Sequence, residues 1–179
     1  MSSRISISLL ILISTLLILS TTACSSRMIQ GRVVDAETGK PLEKAAIYIY
    51  WSKRGPGPPG LAGYVDVEVS EDLTDDKGLF KVPKYSTLFK NYTMAIYKKG
   101  YVCWSSNKIF PSYVRRKNFR LKNGMVIRLE PIKEEYSKEK HASFTLDSSV
   151  NRKSPGLFEA AIKSEMELER KMLRRNRRK

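Results

Sequence analysis

The sequence predicts an all-β sandwich of modest size, and three observations predict it. Short runs alternate with a period of two, which a strand produces and an amphipathic helix does not: Ala45, Ile47 and Ile49 are expected inward with Tyr48 and Tyr50 outward, then Val65, Val67 and Val69 as an apolar face with Asp66 and Glu68 toward solvent. Turn chemistry separates the runs, at Asp35 to Lys40, Asp75 to Gly78, Lys98 to Gly100 and Asn123-Gly124. The length, 179 residues, suits one domain with tails.

Met1 to Arg4 is a short stretch with one positive side chain, and Ile5 to Leu19 is apolar apart from Ser and Thr. As a helix this segment would reach about 22 Å, short of the roughly 30 Å hydrocarbon core, so it reads as an export signal rather than a membrane span. The residues that follow, Ser20-Thr-Thr-Ala-Cys24, resemble a bacterial lipobox, with Thr21 where that pattern usually has Leu. The resemblance implies diacylglyceryl transfer to Cys24 and cleavage before it. Export then argues against a nucleic-acid partner. Cys103, in Tyr101-Val-Cys-Trp104, is expected as a small core side chain and not as a bridge partner of Cys24.

The domain starts at Gly31-Arg-Val-Val-Asp35. Two β-branched residues lead into a turn with Gly39 free to take a positive φ, and Pro41 returns the chain to extended geometry, so a first hairpin is expected with the Tyr-rich strand at 45–50. The stretch from Gly31 to Ile49, followed by LTDDKGLFKV (73–82) and YTMAIYKKGY (92–101), resembles the carboxypeptidase regulatory-like domain, a transthyretin-like or Ig-like β-sandwich. The resemblance covers Ile29 to Pro131 and implies an accessory module without peptidase activity.

Between the second and third strands, residues 51–64 form an insertion whose Gly57, Gly60 and Gly63 alternate with prolines, expected as a stiff projecting loop. Asp66 to Asp76 gathers six carboxylates in eleven residues. The spacing does not match an EF-hand, so a solvated acidic face, or a partner for the basic segments, is expected. Arg115, Arg116 and Lys117 read as a solvated rim that a polyanion could also contact, and Met125 to Leu129 as the last strand. Residues 132–154 turn polar without periodic apolar positions and read as a linker loosely packed on the domain. The sole histidine, His141, falls there and is expected to be exposed.

Pro155, then Leu157, Phe158, Ala161, Ile162, Met166, Met172 and Leu173 near one face, predict a C-terminal helix that ends in a basic tail. The tail carries Arg170, Lys171, Arg174, Arg175, Arg177, Arg178 and Lys179, with no acidic side chain from Arg170 onward. The organisation expected is therefore a signal peptide at 1–23, a lipidated tether at 24–28, the sandwich at 29–131, the linker at 132–154 and the basic helix at 155–179. The sandwich is expected to fold without residues 133–179.

With 33 Lys and Arg against 18 Asp and Glu the formal charge is +15, which attracts polyanions. No paired catalytic groups surround the single histidine, and no phosphate-binding Gly-rich loop or metal-ligand cluster is present in the sequence. The expectation is a non-enzymatic, cofactor-free protein of the bacterial cell envelope, anchored by lipid on the periplasmic or outer side. Its basic tail would meet anionic lipid head groups or envelope polymers, beside an unknown protein partner. The alternatives are an exported polyanion binder and, last, an enzyme.

Overall fold

The computed structural model describes residues 28–58, 63–83, 90–149 and 156–177. The expected signal peptide and Cys24 lie outside them. Strands β1 (Met28–Asp35), β4 (Leu79–Pro83) and β9 (Met125–Leu129) form one sheet in the order β4-β1-β9, with β1 antiparallel to β4 and parallel to β9. Strands β2 (Ala46–Arg54), β3 (Tyr64–Leu73), β5 (Lys90–Tyr97) and β6 (Trp104–Ser105) form the second, in the order β3-β2-β5-β6. A small ribbon pairs β7 (Lys108–Ile109) with β8 (Val114–Arg115). The expected all-β sandwich is present.

The inward alternation of β2 is as expected, and Val33, Ile47, Ile49, Phe80, Val82, Met94, Ile96 and Ile127 form one core between the sheets. The alternation expected for β3 is not: Val65 is exposed, and Val69, opposite Tyr50, packs on the other face of its sheet. Gly31 belongs to that packing. A Cβ there would fall 2.7 Å from Phe80 Cε1, so the ring can lie across β1 only over a glycine.

The turns form as expected, but they join different partners. Asp35 Oδ1 accepts the Glu37 and Thr38 amides, and Gly39 has φ +71°. The chain then touches β1 only at the Val34–Pro41 bridge before it crosses to the other sheet as β2. Thr74 fixes the crossing, its hydroxyl accepting from Ala45 N and donating to Leu42 O. The expected first hairpin is thus a connection between sheets. The Asp75–Gly78 turn likewise links β3 to β4 in the opposite sheet, and Asn123-Gly124 leads into β9, which runs parallel to β1. Local turn chemistry sets a reversal and leaves open which strand becomes the neighbour. A true hairpin does form around the Gly/Pro insertion, with β2 continuing to Arg54 and β3 resuming at Tyr64 past a bulge at Trp51/Ser52.

Residues beyond Pro131 form a third layer. The stretch expected as a loose linker contains α1 (Lys138–Ser148), whose N-terminus is capped by Ser137 accepting from Lys140 N. The expected C-terminal helix is two helices, α2 (Leu157–Ala161) and α3 (Lys163–Asn176), which meet at Ile162. Together they cover the outer face of the four-stranded sheet. Ala46, Tyr48, Ala95, Tyr97, Val102 and Cys103 pack there against Phe144 of α1, Phe158 of α2 and Ile162, forming a second core. Tyr48, expected to face solvent, is 3 % exposed and lies 5.4 Å from the Phe158 ring. Removal of residues 133–179 would expose this whole face to water, which weighs against the expected independence of the sandwich from them. The missed cue is that Ala45 to Trp51 contains no charged residue and no residue more polar than Tyr, the pattern of a strand buried on both faces.

Candidate functional site

One buried polar cluster tests for catalysis. His141, expected exposed, is 2 % exposed on α1. Its Nε2 accepts the backbone N–H of Cys103 at 3.0 Å, which makes the neutral ring the Nδ1–H tautomer, and Nδ1 lies 3.8 Å from Glu165 Oε1. The Tyr97 hydroxyl donates to the same Glu165 oxygen at 2.9 Å. Burial holds the His141 pKa below its ordinary value, with Glu165 acting in the opposite direction. Burial also raises the Cys103 thiol to about 12, and it raises Tyr97, helped by Glu165.

A cysteine, a histidine and a carboxylate thus lie together without the arrangement of a nucleophile. The imidazole nitrogen that should take a thiol proton is occupied by a backbone amide, and the thiol is 1 % exposed and neutral at physiological pH. The cluster ties α1 and α3 to the strand layer. Among the described residues, no three or more His, Cys, Asp or Glu side chains are placed so that they could hold a metal ion.

A surface groove of about 710 Å³ runs between the free edge of β9 and the segment 116–122. Arg116, Lys117, Arg120, Lys122 and Arg128 line it, together with Trp104 and Phe119, and no acidic residue does. The segment is held from several sides. Arg116 Nε donates to Ser105 O at 2.8 Å while its guanidinium lies 4.8 Å from the Trp104 ring, and Leu121 N donates to the Tyr92 hydroxyl. At its far end Asn123 Oδ1 accepts from Gln30 N. Partial burial lowers the Arg116 pKa, yet a guanidinium remains charged at any physiological pH. The sequence placed Arg115, Arg116 and Lys117 on a solvated rim. Arg115 does not line the groove, and nothing in the sequence shows that Lys122 and Arg128 join Arg116 and Lys117, since β9 and the segment meet only in the tertiary fold.

Of the residues expected to make surface contacts, Arg170, Lys171, Arg174, Arg175 and Arg177 are exposed on α3 and its C-cap, and none has a carboxylate within 4.0 Å among the described residues. Arg178 and Lys179 lie outside the described residues, as does Cys24. The acidic strip is used otherwise. Glu71 Oε2 accepts Leu157 N at the start of α2, Asp72 Oδ2 accepts Lys81 N, and Asp75 Oδ1 closes its own turn through Lys77 N and Leu79 N. Gly156 makes room for the first of these, since a Cβ there would collide with the Glu71 carboxylate. Among the described residues, no helix is long and apolar enough to cross a membrane.

No protein-family model matches the chain, and no curated protein does. The resemblance to the carboxypeptidase regulatory-like domain therefore stands on its three motifs. Among solved structures, the chain is similar to the streptococcal ancillary pilin, with 16 % identity over 60 % of this chain and 30 % of that one and a TM-score of 0.33. It is similar to the C-terminal domain of the shaft pilin SpaA from Lactobacillus rhamnosus GG, with 15 % identity, coverage of 59 % and 98 %, and a TM-score of 0.34. An alternative pilotin from the type II secretion system of Vibrio cholerae is similar at 12 % identity, coverage of 59 % and 95 %, and a TM-score of 0.26.

Proposed function

We propose that this chain is a non-catalytic module of the bacterial cell envelope, tethered by a lipid on Cys24 and held against anionic lipid head groups by the cations of α3. The observation that carries the reading is the set of five exposed cations, Arg170, Lys171, Arg174, Arg175 and Arg177, none with a carboxylate within 4.0 Å among the described residues, Arg175 attracting Glu139 only from beyond that distance. The rival destination for a basic tail, the acidic strip, spends Glu71, Asp72 and Asp75 on backbone amides. A helix C-terminus also favours cations, and this satisfies part of their charge without consuming them.

Anchor and helix act together. Four steps separate Cys24 from the first residue of β1, Met28, and fully extended they reach at most ~14 Å, so a lipidated chain keeps the start of β1 beside the head groups. A basic side chain that reaches the leaflet surface contributes on the order of 1 kcal/mol, an attraction that falls off within one Debye length, so α3 must lie directly on the head groups.

The test is vesicle co-sedimentation with protein that lacks the signal segment and carries Cys24→Ala, so that no lipid contributes. Changing the five cations to Gln should weaken binding to phosphatidylglycerol vesicles by ~100-fold or more, and neutral vesicles should bind neither protein. Equal binding of both proteins to the anionic vesicles would remove the basis for the reading, and binding to acidic polysaccharide alone would move the contact from lipid to polymer.

A further inference from the structure

The groove beside β9 contains an unused strand edge. Leu129 C=O accepts from Ala36 N on the β1 side, whereas Glu130 C=O accepts from Val102 N on the other side. Backbone polar groups alternate along a strand, so Met125 and Ile127 also point their N–H and C=O toward β1, and Val126 and Arg128 point theirs into the groove. Among the described residues, nothing pairs with these groups of Val126 and Arg128. From Glu130 onward the edge is closed by the bridge between Tyr101 and Pro131. The open part is therefore short, bounded by that bridge at one end and the Asn123-Gly124 turn at the other.

We infer that this edge is a binding site for an extended acidic peptide, which adds as a strand beside β9. Three features select that occupant. The edge offers donors and acceptors at strand spacing, which a peptide backbone matches in register and a lipid head group or a phosphate chain does not. Five cations line the groove without an acidic residue, so a carboxylate-bearing peptide is attracted. A second copy of this chain pairing edge to edge would instead bring two such sets of cations together, which is repulsive. Trp104 and Phe119, both in the lining, give alternate side chains of the peptide an apolar surface. The site uses no residue of α3, so it stands or falls separately from membrane contact.

The experiment uses the full chain in neutral-detergent micelles and a fluorescein-labelled heptapeptide that alternates glutamate and valine, read by anisotropy. Two further peptides carry backbone N-methyl groups, one on the valines and the other on the glutamates. Strand addition presents only one of these two sets of amides to β9. One methylated peptide should therefore lose ~10-fold in affinity while the other binds like the parent. Amide hydrogen exchange at Val126 and Arg128 should slow when the parent peptide is added. Arg120→Glu with Lys122→Glu, both at exposed positions, should also weaken binding ~10-fold with unchanged melting. Any of three results would overturn the inference: both methylated peptides binding like the parent, inorganic polyphosphate displacing the peptide with no protection at Val126 and Arg128, or no peptide binding at all. The last would leave the cations as guards that keep an open edge from pairing.

Discussion

Replacing Phe144 with Ala asks whether α1 is a structural layer or a linker lying on a finished sandwich. Phe144 is fully buried, with the Phe110 and Tyr113 rings 5.4 Å away, both inclined edge-on to it. Truncating a buried phenylalanine removes its transfer free energy and leaves a cavity, a loss of about 3–5 kcal/mol. On a loosely packed linker the same change would cost within about 0.5 kcal/mol. With a urea dependence of about 2 kcal/mol per molar, the structural layer predicts a midpoint lowered by roughly 1.5–2.5 M. Equilibrium urea unfolding of the lipid-free chain, followed by Trp fluorescence and far-UV circular dichroism together, measures it. Asp147→Ala, at an exposed position on the same helix, serves as the control and should move the midpoint by less than about 0.3 M. A Phe144→Ala midpoint as close as that to the parent would refute the second core.

Two more outcomes follow from the same structure. His141 is buried and neutral among Glu165, Tyr97 and Cys103, with its pKa lowered by burial, so the unfolded chain takes up a proton first as pH falls. Its contribution to stability is complete above the unfolded value of about 6.5 and is lost as pH falls from there toward the lower folded value. The urea midpoint should therefore fall between pH 7.5 and 5.5 in the parent and change much less in His141→Gln; equal slopes would show that another group titrates. Cys24→Ala should shift the protein from the membrane to the soluble fraction of cells, since acyl chains supply ~0.8 kcal/mol per buried methylene and the described residues contain no membrane-spanning helix. Retention of the variant in the membrane fraction, with the signal uncleaved, would identify the apolar N-terminal segment itself as the anchor.

The strands were legible because each carries its own periodicity, and the turns because Asp35, Gly39, Asp75 and Gly78 act within a few residues. Pairing was not, since β1 and β2 enter different sheets after a reversal that looks locally like a hairpin. α1 was hidden by its composition. Its buried face includes His141, Thr145 and Ser148, polar residues that sit inside because Thr145 and Ser148 donate back to the carbonyls four residues earlier and His141 accepts an amide from Cys103. Ser137 followed by Glu139 was the available sign of a helix start, and the unbroken apolar run in β2 was the sign that something must cover its second face. At the groove, sequence reading found Arg115 to Lys117 as a charge run. Lys122 and Arg128 become neighbours of Arg116 and Lys117 only when β9 takes its place beside β1.

Native-state amide hydrogen exchange on the lipid-free chain tests most directly whether residues beyond Pro131 complete the fold and so present the α3 cations from an ordered helix. The account predicts that amides of α1 and of α3 up to about Met172 are protected, opening together with those of β2 and β5 as denaturant is raised. Exchange of those helices at the rate of an unfolded chain, while β2 and β5 stay protected, would contradict it and restore the picture of a finished sandwich with a loose basic tail.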